Sequence, residues 1–312
     1  MKILVIFTGG TIGSAQKNDT ISLQSSTKYT LLENYKSSFP NDIMFEHISP
    51  YNVLSENLSA IEITKLVSTV CENVGKDYDG IIVTHGTDTI QYSASALHYA
   101  LGVDTVPVVL VSSNYPLEDM RSNGYDNFAS AVSFICSGMG RGVFVSYKNP
   151  GKDYTDIHRG NNLLQHAECD DALYSANNMV FATIKNGKVI KNDTYQDDAP
   201  FAPVGAISFS CTSDILVVEP HPADNYSYEL CNYRAVLLSP YHSSTLDTEN
   251  KHFCDFCKKA MDMHIPVYLP HFRRDAMYES TKKFAPLGIM LMPDSTFVSA
   301  YIKLWIKNSI KS

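Results

Sequence analysis

No stretch of the 312 residues approaches the roughly 20 apolar residues a membrane helix requires. Met1-Lys2 runs into a strand pattern with no apolar leader or cleavage site, so a cytoplasmic protein with no membrane partner is expected. Lysine and arginine number 25 against 33 acidic residues, and the net charge of -8 argues against the clustered basic surface of a general nucleic-acid binder. The seven cysteines are odd in number and scattered, which suits reduced thiols rather than a disulfide framework. Only Cys254 and Cys257 are closely spaced, and no second pair completes four zinc ligands, so no metal is implied. Nucleotide signatures fail too: Thr8 stands where the first glycine of G-x-G-x-x-G belongs, and no G-x-x-x-x-G-K-[ST] occurs. No cofactor is expected, and internal repeats and low-complexity tracts are missing.

What is present is core material. Apolar residues make up 44% and charged residues 19%, ordinary values for a globular protein, and the length exceeds one typical domain. Ile3 to Phe7 and Ile81 to Thr84 are continuous apolar runs of strand length, as expected for strands covered on both faces of a parallel sheet. Each run ends in a glycine-bearing turn and then a threonine, Thr11 and Thr87. Turn chemistry alone accounts for either segment taken singly. Both threonines nevertheless stand at carboxyl ends of strands, the edge where open α/β sheets bind ligands.

Further along, Ser59 and Glu62 read as a capping box before a helix whose Ile63, Leu66, Val67, Val70 and Val74 form one apolar stripe. Ile90, Ala94, Leu97 and Leu101 repeat the pattern after Thr87, and strands are expected at 80–84, 105–111 and 142–147. This alternation predicts an α/β fold with a larger N-terminal, doubly wound, mainly parallel sheet. Asn186-Gly187 between apolar runs adds a β-hairpin with a primed turn. A polar, proline-bearing stretch at 192–204 reads as a linker, dividing a domain at 1–191 from a smaller C-terminal α/β domain at 205–312. In the latter, strands are expected at 215–218, 235–238 and 267–269, with a final helix presenting Val298, Tyr301, Ile302 and Trp305 on one face.

Thr8-Gly9-Gly10-Thr11-Ile12-Gly13 together with His85-Gly86-Thr87-Asp88-Thr89 resembles the two signature motifs of the bacterial-type L-asparaginase family. Ser55-Glu56-Asn57-Leu58-Ser59 is similar to that family's substrate-binding segment, and Arg121-Ser122-Asn123-Gly124 with Asn127 to its Ser-Asp-Gly-x-x-Asn. Gly288-Ile289, Asp294-Ser295-Thr296 and Lys303-Leu304 resemble its closing elements, so the similarity runs along nearly the whole chain.

The resemblance implies hydrolysis of L-asparagine, with L-glutamine as second candidate, to the acid and ammonia through an acyl-enzyme. Thr11 would be the nucleophile, with Thr87 and Asp88 as its catalytic companions. Gly10, Ser55, Glu56, Thr87, Asp88 and Ser113 would bind substrate, Asp88 by accepting its ammonium. A homodimer or homotetramer is implied as well. Read without the family, Asp88 is a favoured helix N-cap and Ser55 and Glu56 are loop residues before a capped helix. A buried His85 at a strand end is expected to be a hydrogen-bonded structural residue.

Three departures stand out. The family's loop tyrosine has no counterpart between Ser14 and Gln24, where Thr20 is nearest the place. The family's catalytic lysine aligns with Gln165, an amide that cannot accept a proton as an amine does, leaving Lys148 and Lys152 as the amines nearest in sequence. Tyr241-His242-Ser243-Ser244 replaces a glycine-rich segment that, in the family, approaches a neighbouring subunit's site. These departures keep two rivals open: a non-catalytic binder of asparagine or aspartate, and a related amidase acting on glutamine, a D-amino acid amide or a tRNA-bound transamidation intermediate. No basic stretch for tRNA is evident, and no added N-terminal domain is expected.

Overall fold

In the computed structural model, which describes residues 1–17, 20–23, 27–39, 42–271 and 278–311, the chain divides into two compact units, Met1–Phe209 and Ser210–Ser312. The first unit runs, in chain order, β1 (Lys2–Phe7), β2 (Ser14–Lys17), β3 (Thr20–Leu23), α1 (Thr27–Ser38), β4 (Met44–Ile48), α2 (Ala60–Val74), β5 (Gly80–Thr84), α3 (Ile90–Leu101), β6 (Val108–Val111), α4 (Gly124–Ser137), β7 (Val143–Tyr147), β8 (Thr155–Arg159), β9 (Ala182–Lys185) and β10 (Lys188–Lys191).

Eight of these strands form one sheet in the order β10-β9-β8-β7-β6-β5-β1-β4, while β2 and β3 pair separately. From β4 to β7 every pairing is parallel, and β8, β9 and β10 continue antiparallel. The central strands are buried along their whole length because helices cover them, which is why Ile3 to Phe7, Ile81 to Val83 and Val108 to Val111 carry unbroken apolar sequence. Each such side chain contributes roughly 1.5–3 kcal/mol when removed from water. The edge strand β4 is mostly exposed and carries Glu46, which pairs with Lys2 at 2.9 Å and accepts from the Tyr78 hydroxyl at 2.6 Å.

β6 begins later than its apolar run predicts, because Pro107 has no N–H to give the ladder and offers only its carbonyl, to Ile81 N at 2.9 Å. The hairpin forms as expected, with Asn186 at φ 50° and Gly187 at φ 74° making the primed turn between β9 and β10. The Ser59–Glu62 capping box is present at the start of α2. The stretch at 192–204, read as a linker, lies against the first unit. Asp198 accepts from Arg159 at 3.1 Å, and Val204 N and Gly205 N donate to Tyr99 O and Ala100 O.

The second unit holds a four-stranded parallel sheet, β11 (Ile215–Val218), β12 (Ala235–Leu238), β13 (Val267–Pro270) and β14 (Ile289–Met292), with α5 (Lys251–Asp262) and α6 (Phe297–Lys311). Phe253, Phe256, Cys257 and Ala260 of α5 bury against Val236, Leu238 and Val267 in a core of its own. Burial pushes the Cys257 thiol up to about 12, fitting a packing residue, while Cys254 is half-buried on the same helix.

Candidate active site

β1 is the first strand of the large sheet, and its neighbours are β4 on one side and β5 on the other. The chain therefore reverses its direction of travel across the sheet at the β1/β5 pair. In a doubly wound sheet that pair opens a crevice at its carboxyl end, the expected ligand position. The loops after β1 and β5 are the two threonine loops.

They are locked together by backbone contact. Gly10 has φ +76°, and a Cβ there would lie 2.4 Å from Gly86 N and 2.6 Å from Gly86 Cα. A Cβ on Gly86 would in turn lie 2.4 Å from Ser55 Oγ. The 53–55 segment joins the same knot: Gly10 N donates to Val53 O at 3.2 Å, and Val53 N to Thr8 O at 3.0 Å. Thr8 donates its hydroxyl to Thr84 O at 2.5 Å, tying the end of β1 to the end of β5. Three loops from different parts of the sequence are thus held at one sheet edge, and the polar side chains they carry have fixed roots.

Thr11 opens a short 3-10 turn, Thr11–Gly13, and is half-buried, as is Thr87. Ser55 is buried and donates its hydroxyl to the Asp88 carboxylate at 2.8 Å, while Thr89 donates to Ser55 O at 3.0 Å. Asp88 and Glu56 stand exposed beside them. The helix reading of Asp88 gives way to another: the N-cap of α3 is Thr89, with no side-chain cap bond, and the Asp88 carboxylate turns to Ser55. Gln91 Nε2 donates to Asp88 O at 3.0 Å and steadies the turn.

His85 is buried, and its two ring nitrogens are both engaged, Nδ1 with Gly86 O and Nε2 with Ser93 Oγ, each at 2.8 Å. Since the Gly86 carbonyl only accepts, Nδ1 carries the proton and Nε2 accepts from Ser93. Burial pushes this imidazole down to about 4, so it is neutral and structural.

Ser113 lies at the end of β6, fully buried, with its hydroxyl 2.7 Å from Ser122 Oγ and bonded to Tyr115 O. Its hydroxyl serves the loop leading to α4. Asn123 and Asn127 bridge strand ends: Asn123 Nδ2 donates to Lys148 O at 2.9 Å, and Asn127 donates to Ser112 O and accepts from Lys148 N. That is the physical content of the Ser122-Asn123-Gly124 motif here.

Gln165 is exposed and accepts from the Tyr92 hydroxyl of α3 at 3.2 Å. The two amines near it in sequence are engaged elsewhere, Lys148 with Asp126 at 2.6 Å and Lys152 over the Tyr154 ring. His166, which sequence reasoning passed over, sits beside Tyr147 with ring centroids 5.9 Å apart. The one signal for it was adjacency to the substituted position. In the loop after Thr11, the Ser14–Gln24 segment forms β2 and β3, paired antiparallel, with Thr20 in β3. Gln24 itself, and all side chains of that segment, lie outside the described residues.

In the second unit, Ser244 adopts φ 59° and donates to His271 O at 2.9 Å, while Ser243 Oγ meets Thr245 Oγ1 at 2.9 Å. The segment replacing glycines is a tight, hydroxyl-rich turn. No group of three or more metal-ligating side chains occurs among the described residues, and no helix among them is long and apolar enough to cross a membrane.

A doubly wound sheet with threonine loops at its switch point and a second, smaller parallel sheet defines the architectural class. Residues 2–196 match the family model described as asparaginase, N-terminal, and the chain belongs to the asparaginase family. It is 29% identical over 195 residues to the D subunit of glutamyl-tRNA(Gln) amidotransferase from Methanosphaera stadtmanae, a match covering 61% of this chain and 43% of that protein. It is 28% identical over 190 residues to the L-asparaginase of Thermococcus kodakarensis, covering 56% and 53%. The matched stretch thus spans about half or less of these relatives' lengths. The solved thermostable L-asparaginase from Thermococcus kodakarensis shares the fold across 99% of this chain and 93% of its own, with a TM-score of 0.78 at 20% identity.

Proposed function

We propose that the protein hydrolyses the side-chain amide of L-asparagine, releasing ammonia and L-aspartate through an acyl-enzyme on Thr11. The observation that carries this reading is the knot of three loops at the β1/β5 switch point, which roots Thr11, Thr87 and the Ser55–Asp88 pair at one edge. Covalent amide hydrolysis needs a nucleophile, a proton acceptor and an anchor for the substrate's charged ends. Thr11 is the nucleophile, Thr87 its partner in proton transfer, and Asp88, polarised by Ser55, the acceptor for the substrate ammonium. Glu56 and Gly10 complete the rim, with Ser113 behind the edge in the support of the loop to α4.

A homodimer or homotetramer in the cytoplasm accompanies the proposal, on the family resemblance. The similarity to amidotransferase D subunits favours a second reading, in which the same amide cleavage supplies ammonia for transamidation by a partner protein. A binder without turnover is the third.

The test is ammonia release from L-asparagine and from L-glutamine by wild type and by Thr11→Ala. Release from asparagine that falls at least a thousandfold in Thr11→Ala is the expected result. Preference for glutamine would move the assignment to the second reading. Asparagine-dependent thermal stabilisation with no ammonia would establish the binder.

A further inference from the structure

A glycine ahead of Thr87 leaves the peptide plane between them poorly determined by local sterics, because Gly86 has no Cβ to restrict its dihedrals. The side chains around it remove that freedom. His85 Nδ1 donates to Gly86 O at 2.8 Å, and Ser93 of α3 donates to His85 Nε2 at 2.8 Å, so the ring is held at both nitrogens. Both residues are buried. The same device recurs twice in the knot: Thr89 Oγ1 donates to Ser55 O at 3.0 Å, and Gln91 Nε2 to Asp88 O at 3.0 Å. Three carbonyls of the site loops are thus tied to side chains at the end of β5 and the start of α3.

Tying a carbonyl also aims an amide. In a trans peptide the N–H points opposite to the C=O. With Gly86 O turned to the buried ring, Thr87 N–H is turned away from it, and this N–H has no hydrogen-bond acceptor among the described residues. Ser55 O is held likewise, and Glu56 N–H has no acceptor among them either. The Gly86 turn lies against Gly10, whose Cβ would sit 2.4 Å from Gly86 N, so Thr87 N–H emerges next to the loop that carries Thr11.

We infer that His85 is a positioning residue, fixing the Gly86–Thr87 peptide plane so that Thr87 N–H meets the oxyanion formed when Thr11 attacks the substrate amide. The inference rests on the amidohydrolase reading. When Thr11 Oγ1 bonds to the amide carbon, the carbonyl π pair moves onto its oxygen, and Thr87 N–H donates to that oxygen. The pair re-forms the carbonyl as the C–N bond breaks, and the Thr11 proton leaves with the nitrogen as ammonia. A donor aimed before the reaction stabilises this charge without reorganising. A flipped plane would present Gly86 O instead, an acceptor that repels the oxyanion. Ser93 completes the device by holding the ring in the tautomer protonated at Nδ1, the one neutral form that can donate to Gly86 O.

The experiment compares wild type, His85→Asn and His85→Gln in ammonia release from L-asparagine and L-glutamine, with a urea midpoint for each protein. The Asn side chain carries its N–H as many bonds from the backbone as Nδ1 and can still donate to Gly86 O. The Gln side chain carries it at the place of Nε2 and cannot. His85→Gln is expected to lose about 100-fold in kcat with KM within about threefold, while His85→Asn keeps kcat within about fivefold of wild type. Both variants lose the buried ring, so a merely structural role would lower their kcat together, in step with their urea midpoints, and that outcome overturns the inference. So does a His85→Gln protein with kcat within about threefold of wild type, or with raised KM alone. Nitrogen NMR of the wild-type ring reads the device without any variant: a proton on Nδ1 and none on Nε2 is expected, and the opposite tautomer overturns the inference. Wild type no more active than Thr11→Ala on either amide would sink the amidohydrolase reading itself. An active wild type with equally active Asn and Gln variants sinks only the role of His85.

Discussion

Gly10 and Gly86 are where single residues decide the site. Each is missing a Cβ that would enter the neighbouring loop at 2.4 Å, Gly10 into Gly86 N and Gly86 into Ser55 Oγ. The obstacle at Gly10 is backbone, which cannot step aside, and its φ of +76° adds strain for any L side chain. Gly10→Ala is therefore expected to cost about 1–3 kcal/mol of stability, in the range of overpacked sites, and to abolish amide hydrolysis by prising the threonine loops apart. Urea unfolding and ammonia release measured on the same preparation check both halves. Gly86→Ala presses on a side-chain hydroxyl instead, so it should retain more stability while breaking the Ser55–Asp88 bond.

At the scale of elements, α2 shows how local chemistry sets a boundary that the site depends on. Ser59 accepts from Ile61 N at 3.2 Å, and Glu62 Oε2 accepts from Ser59 N at 3.0 Å, closing both ends of the capping box. The helix then buries Ile63, Leu66, Val67 and Val70, and its start fixes where the preceding turn with Ser55 can lie. Ser59→Ala is expected to lower stability by about 0.5–2 kcal/mol, the usual cost of a lost N-cap. A shift in the urea midpoint with unchanged slope would show it, and a small rise in KM would register the loosened Ser55 turn. α3 contrasts with α2: its cap residue Thr89 makes no side-chain cap bond because its hydroxyl donates to Ser55 O. Capping chemistry there is diverted to hold the site.

Over the whole molecule, the buried ionisable groups set a pH dependence of stability. Burial pushes His85 down to about 4 and His158 to about 3, and pushes the Asp156 carboxyl up to about 6. Between pH 4 and 6.5 the unfolded chain binds a proton at each histidine that the folded chain does not. Stability from the two imidazoles is therefore present above about 6.5 and falls as pH drops through this window, by about 1.4 kcal/mol per unit for each fully buried ring. Asp156 acts in the opposite sense between its unfolded value and about 6, where the folded chain holds the extra proton. Two rings outweigh one carboxyl, so the folded protein should be markedly less stable at pH 5 than at pH 7. His158→Gln should flatten that slope by about 1.4 kcal/mol per unit, read from urea midpoints across the range.

The central strands of the large sheet, its hairpin and three of the four strands of the second sheet were legible in the sequence because fully covered strands need unbroken apolar runs and primed turns need Asn-Gly. Such constraints act within a few residues and leave a periodic trace. The parts that were not legible have no period. β4 is an exposed edge strand with mixed sequence, β8 carries Asp156, His158 and Arg159, and the start of β6 was set by one proline.

The same division holds for the site. The chain's own order of residues determined that two threonine-bearing turns end two buried strands, that Ser59 caps a helix, and that position 165 is an amide. Only the tertiary structure decided that Gly10 touches Gly86 and that Asp88 answers to Ser55 rather than to its helix. Those are contacts between segments up to some eighty residues apart, made where the sheet reverses direction, and sheet order is settled by packing that no single segment carries.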